Sequence, residues 1–214
     1  MLVLPLNEET TLCNSPARSR TRRSGIAGFS MVELAVSMAV LLILTGIAIP
    51  SLMRSLRTYQ LNDAAARLSD MLKFTRFEAV RRNKPINFLM QSSGTGWLVG
   101  TDSNVSGTID PTDKQQLIAG FATLLPAGVA PTPTAITTAL GGAALITKSG
   151  SAGSITFDAR GAIRVGGNVS PNIFVFYLGS TASPEFGYRA VIQLPSGSTQ
   201  IWTAPAGGPW QQIG

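Results

Sequence analysis

Six consecutive residues, Gly28-Phe29-Ser30-Met31-Val32-Glu33, concentrate the chemistry this chain offers. Upstream, Arg18, Arg20, Arg22 and Arg23 fall within six positions; downstream, Leu34 to Met53 form twenty residues without a charge. Twenty helical residues rise about 30 Å, the thickness of a bilayer core. Glu33 thus stands at the mouth of a membrane span. An acid at the centre of such a span costs about 2.5–3.5 kcal/mol, less near an end, so an unpaired Glu33 is disfavoured. Intramembrane acids are functional candidates, and a partner must be named. Cleavage after Gly28 would create one: a new α-amino group on Phe29, four residues from Glu33. Within one helix the two groups point awkwardly. Across two laterally stacked helices, the amine of one chain can neutralise the carboxylate of its neighbour.

Composition closes most other routes. The 214 residues contain no histidine and one cysteine, Cys13. That excludes a histidine-based triad, a histidine metal site, a CxxC redox pair and a cysteine zinc cluster. Neither an enzymatic activity nor a cofactor or metal is expected. Charged residues make up 13% of the chain, about half the usual share. The shortfall implies a membrane segment, a Gly/Ser/Thr-rich β domain, or both.

The elements that position the motif follow from the hydrophobic pattern. The basic flank before the apolar run predicts a cytoplasmic N-terminus, with everything after Arg54 on the other side. Beyond the span the helix turns amphipathic. Leu61, Ala65, Leu68, Leu72, Thr75 and Ala79 recur at three- and four-residue steps, while Arg57, Arg67, Asp70, Lys73, Arg81 and Arg82 mostly fall off that stripe. Asn83-Lys84-Pro85 is the expected stop, giving one helix from Ser30 to about Asn83, roughly 80 Å long. Its apolar stripe needs a partner, and the rest of the chain supplies strands. Ile86, Phe88 and Met90 alternate with Asn87, Leu89 and Gln91; a Ser-Ser-Gly-Thr-Gly turn and Trp97-Leu98-Val99 complete a hairpin. Further strands are expected at 144–147, 154–157, 162–165, 173–178, 188–194 and 199–202, the last two joined by Pro195-Ser196-Gly197-Ser198. Most of residues 102–142 read as an irregular surface excursion, and the tail from Ala204 as turn-like and loose. The expected fold is α+β: a long N-terminal helix, its first half transmembrane, packed on a small antiparallel sheet.

Three alternatives compete for the apolar run. A buried core helix accounts poorly for so long an uncharged stretch. A twin-arginine export signal would use Thr21-Arg22-Arg23, with Gly46-Ile47-Ala48 as a signal-peptidase site; the strong hydrophobic block expected just after the arginines is missing, and Glu33 would sit inside the signal's hydrophobic region. An unprocessed membrane anchor leaves Glu33 without a role.

The basic leader, Gly28, Phe29, Glu33 and the apolar stretch together resemble the type IV prepilin signature, and Pro50 stands where such helices carry a proline. The resemblance implies that a prepilin peptidase cuts between Gly28 and Phe29 and methylates the new Phe29 amine. It also implies that Glu33 aids docking into a growing filament, with Pro50 permitting local melting of the helix. Downstream, Thr75-Arg76-Phe77-Glu78-Ala79-Val80-Arg81-Arg82-Asn83-Lys84-Pro85-Ile86 resembles the GspH/FimT family of minor pilins and pseudopilins. So do Trp97, Ile155-Thr156-Phe157-Asp158-Ala159-Arg160-Gly161 and Tyr188-Arg189-Ala190-Val191-Ile192. The organisation this implies is a leader over 1–28, a transmembrane or filament-core helix over 29–53 and a periplasmic head over 54–214. Implied partners are other pilins or pseudopilins, the peptidase, an inner-membrane assembly platform and the inner membrane itself. The implied function is a minor pseudopilin of a type II secretion pseudopilus; the alternative is a minor type IV pilin of pilus biogenesis or DNA uptake.

DNA is the disfavoured partner. Where the family binds DNA, its last hairpin often carries Gly-Arg and another basic residue, whereas Ser196-Gly197-Ser198-Thr199-Gln200-Ile201-Trp202 has none. Phosphate contacts dominate non-specific DNA affinity. The remaining basic candidates, Arg76, Arg81, Arg82 and Lys84, read as a solvated helix face beside Asp70 and Glu78, with Glu78 in helix-surface pairs. Removal of the leader would lower the net side-chain charge from +6 to thirteen basic against nine acidic residues and would take Cys13 with it. The head would then rely on its core, with no disulfide.

Overall fold

A computed structural model describes residues 28–149 and 153–213. The leader expected over 1–28 lies outside the described residues, apart from Gly28. The chain divides into two units, Met1–Thr45 and Gly46–Gly214. Helix α1, Met31–Arg82, starts in the first and ends in the second. Its start is capped by Ser30, whose Oγ accepts the Val32 N–H at 3.4 Å while its carbonyl accepts that of Leu34. It ends where the sequence predicts. Asn83 takes φ 52°, the Asn83 and Lys84 N–H groups donate to the Val80 and Ala79 carbonyls, and Pro85 bars another turn.

Within the first unit every described residue is exposed. The second unit holds two sheets. In the first, β1 (Ile86–Ser93) and β2 (Gly96–Asp102) form the expected hairpin, followed outward by β3 (Gln115–Ile118). The turn is tighter than the five residues expected: Ser93 pairs with Gly96, and Gly94 takes φ 58° in a two-residue loop. On the other side of β1 come β6 (Ile155–Phe157), β7 (Ile163–Val165) and β8 (Asn168–Val169). In the second sheet β12 (Gln211–Gln212), β11 (Thr199–Ala204), β10 (Tyr188–Gln193), β9 (Ile173–Gly179) and β4 (Thr123–Leu125) lie side by side. A short β5 (Leu145–Thr147) pairs parallel to β9.

The core explains this arrangement. The α1 stripe of Leu61, Ala65, Leu68, Leu72 and Ala79 packs with Phe88, Phe157, Phe176 and Val191 from both sheets. A second cluster, with Val175, Tyr177, Trp202 and Trp210, covers the far face of β9–β11 together with Ile136 of the short helix α2 (Thr134–Ala139). Strand β9 is therefore buried on both faces. Its unbroken apolar run, Ile173-Phe174-Val175-Phe176-Tyr177-Leu178, is what such a position demands.

The expected long helix packed on an antiparallel head is found, with two six-stranded sheets where one small sheet was expected, because alternation identifies strands without saying which of them pair. Residues 102–142 are mostly irregular, as expected, and three short pieces within them are regular: β3, β4 and α2. These pieces are three to six residues long and become regular by pairing with β2 and β9 or by burying Ile136. One expectation is corrected: the tail from Ala204 is not loose. Trp210 is buried, its ring lies 5.6 Å from that of Tyr177, its Nε1–H donates to the Pro131 carbonyl, and β12 pairs with β11.

Candidate assembly site

The first stretch of α1 exposes apolar side chains on every face. Phe29 is 76% exposed and Leu42 70%, and the apolar stretch buries nothing within the chain. Among the described residues α1 is the one helix long and apolar enough to cross a membrane. Two of its hydroxyls are internally satisfied: Ser37 Oγ donates to the Glu33 carbonyl and Thr45 Oγ1 to that of Leu41, each at 2.7 Å. Such bonds to the carbonyl four residues back let hydroxyls enter lipid. Pro50 lies within the helix and offers no N–H to the Gly46 carbonyl, so one link of the backbone ladder is missing there.

Gly28, Phe29 and Glu33 come together at the exposed start of α1, and Pro50 stands apart, more than four turns along it. Among the described residues, a Cβ added to Gly28 would meet nothing within 4 Å, so on that side the backbone beside Phe29 is open to approach. Glu33 occupies the first turn, where a carboxylate faces the positive end of the helix dipole. Among the described residues no cation lies within ion-pair distance of it.

At the other end of α1 the polar groups are densely paired. Glu78 is 9% exposed and accepts from Arg81 Nη2 at 2.8 Å and Arg82 Nε at 2.7 Å, bearing out the expected helix-surface pairs. The Arg81 guanidinium holds the Glu78 carboxyl below its usual range; burial opposes this and Arg82 reinforces it. Nearby, Asp158 closes the β6–β7 turn by accepting the Arg160 and Ala162 N–H groups at 2.9 Å and Arg164 Nε at 3.4 Å. Burial alone would raise its carboxyl, but these donors outweigh burial and lower it.

The last hairpin turn, which carries no basic residue, has an internal role. Gly197 takes φ 82° and is buried against the Gly161 carbonyl and the Arg76 side chain. The Ile163 N–H donates to the Pro195 carbonyl at 3.1 Å, tying the turn to β7. The turn docks the two sheets together at the end of α1.

Sequence reasoning missed a second polar tie. Arg189 on β10 is buried, donating from Nε to Asn62 Oδ1 at 2.6 Å and from Nη1 to the Tyr188 carbonyl. It joins α1 to the second sheet. The one available signal was a charged residue inside the apolar strand Tyr188–Gln193. The 102–113 loop is likewise self-contained: Asp102 accepts the Ser106 and Gly107 N–H groups at 2.9 Å. Among the described residues no group of three or more acids or cysteines is placed to hold a metal ion.

No curated protein matches the chain. Two crystal forms of the type IV minor pilin FimU of Pseudomonas aeruginosa are similar in structure. One is 21% identical, covering 69% of this chain and 90% of that one at a TM-score of 0.45. The other is 20% identical, covering 68% and 94% at 0.41. The family described as type II transport protein GspH matches residues 64–197, from the buried stripe of α1 to the last hairpin turn. With most of its length matched, the chain belongs to the GspH family of structural, non-enzymatic proteins.

Proposed function

We propose that this protein is a minor pseudopilin of a type II secretion pseudopilus, stored in the inner membrane and then drawn into a short periplasmic filament. The observation that carries this reading is the first stretch of α1: apolar on every face, unburied, and headed by Glu33 with no cation within ion-pair distance among the described residues. Family membership supports a pilin-like structural role. A prepilin peptidase cuts between Gly28 and Phe29 and methylates the Phe29 amine. The helix over 29–53 then holds the protein in the membrane, N-terminus cytoplasmic and the head over 54–214 periplasmic. In the filament, apolar helices of successive subunits replace lipid, and the Phe29 amine of one subunit neutralises Glu33 of another. That pairing removes the cost of an isolated carboxylate in a low-dielectric bundle. Pro50 leaves the Gly46 carbonyl unbonded and lets the helix adjust during the transfer.

Two measurements test the reading. Mass spectrometry of the mature N-terminus is expected to find N-methyl-phenylalanine at position 29; a chain starting at Ile49 would indicate signal-peptidase processing and overturn it. Glu33→Ala is expected to leave cleavage largely intact and to reduce incorporation into filaments. Normal incorporation would remove the pairing from the mechanism. Deletion of the gene separates the systems: loss of secretion with intact pili supports the pseudopilus, and the reverse outcome supports a pilus role.

A further inference from the structure

From Phe29 onward the chain carries thirteen basic and nine acidic side chains, and their placement is uneven. Arg76, Arg81, Arg82 and Lys84 belong to the last turns of α1 and the residues just after it, and Arg160 and Arg164 to the β6–β7 hairpin. These two segments are neighbours. Cβ atoms added at Gly161 would meet Arg76 and Val80, Ile86 pairs with Phe157, and Pro85, Arg160 and Arg164 line one surface cavity. Two acids, Glu78 and Asp158, share the region. The remaining seven cations and seven acids cancel. The entire net charge of +4 therefore resides at one end of the head.

The cluster is also preorganised and partly apolar. Buried Glu78 holds Arg81 and Arg82 in place, and buried Asp158 holds Arg164, whose Nη1 also donates to the Gly167 carbonyl at 2.8 Å. Each guanidinium keeps N–H groups for a further acceptor. Among these cations Phe77 is 67% exposed, and Val80, Val165 and Val169 are exposed as well. Arginine and aromatic side chains around an apolar centre are the composition of a protein–protein interface. A phosphate backbone would leave the apolar side chains unused. A second copy of this chain fits poorly, because most of its own acids are engaged: Asp102 and Asp113 hold the 102–113 loop, and Asp63 and Asp70 pair with Arg67 and Lys73.

We propose that the surface formed by the C-terminal end of α1 and the β6–β7 hairpin is the docking site for a different protein that presents carboxylates interspersed with apolar side chains. Complementary charge steers the encounter, and Phe77 with its neighbouring valines supplies the apolar contact. The inference does not depend on filament assembly.

The test uses the purified full-length protein in detergent and follows anisotropy of three labelled probes: a peptide of alternating Glu and Leu, one of alternating Lys and Leu, and a DNA duplex. The Glu–Leu peptide is expected to bind, the Lys–Leu peptide to fail, and the duplex to bind more weakly than the Glu–Leu peptide. The double variant Lys84→Glu/Arg160→Glu, at two cations outside the internal ion pairs, is expected to weaken the Glu–Leu peptide about tenfold. Arg67→Glu/Lys73→Glu, an equal change of charge elsewhere on α1, is expected to stay within about twofold. If the first variant melts early, Lys84→Gln/Arg160→Gln with Phe77→Ser replaces it, with a smaller loss expected in the same direction. Absence of Glu–Leu binding, equal losses in both double variants, or a duplex bound more tightly than the peptide would each overturn the proposal.

Discussion

Two stretches of one helix are solvated in opposite ways. In Leu34–Met53 the leucines stand exposed on all sides, whereas Leu61, Leu68 and Leu72 share one face and are fully buried, with Arg67, Asp70 and Lys73 on the opposite face. The backbone is helical throughout, so local propensity does not distinguish them. The difference lies in what each face meets. Beyond Gln60, one apolar stripe is covered by two sheets of the same chain, and water takes the rest. Before Arg54 there is no polar face at all, and a helix apolar all round requires lipid or other helices. A single element thus combines a folding function at one end with an environment-seeking function at the other.

The comparison is most sharply tested by truncating leucines in each stretch. Leu72→Ala is expected to destabilise the head by about 2–5 kcal/mol, read from denaturant unfolding in detergent, because the cavity is enclosed by both sheets. An equal loss from Leu42→Ala would break the comparison; its expected effect on head unfolding is close to zero. Next in size is Gly197→Ala. It places a Cβ against the Gly161 carbonyl at a backbone angle of φ 82°, so a loss of about 1–3 kcal/mol is expected. An unchanged melting temperature would show that this turn does not hold the sheets together.

A smaller effect is expected at Glu78. Its folded-state carboxyl titrates below its unfolded value, so the stability it contributes is present above about pH 4.3 and is lost as pH falls through the folded value. Because Arg81 and Arg82 are substantially solvated, the contribution is about 1 kcal/mol or less. Glu78→Gln should flatten the acid limb of the stability profile and leave its neutral plateau slightly lower. An unaltered acid limb would assign that limb to Asp158 and other carboxylates. Smallest of all, Arg67→Ala should shift stability by only a few tenths of a kcal/mol, since its pair with Asp63 lies in solvent.

By itself the sequence determined the features whose cause is local or periodic. The helix bounds follow from Ser30, Asn83 and Pro85, and the buried stripe from its three- and four-residue spacing. Most of the head's strands follow from alternation or, for β9, from an unbroken apolar run. The motif Gly28-Phe29-Glu33 was legible because an acid beside twenty uncharged residues is conspicuous in one dimension. Only the tertiary structure decided which strands share a sheet, since β1 joins β6 and β9 joins β4 and β5 across long separations. It likewise decided that 115–118, 123–125 and 211–212 become strands, because segments so short gain order from their partners and not from their own residues. The Arg189–Asn62 tie, 127 positions apart, and the contact of Gly197 with Gly161 belong to the same class. So does the gathering of six cations at one end of the head. Charge is counted along a chain, but a surface forms only when distant segments are packed together.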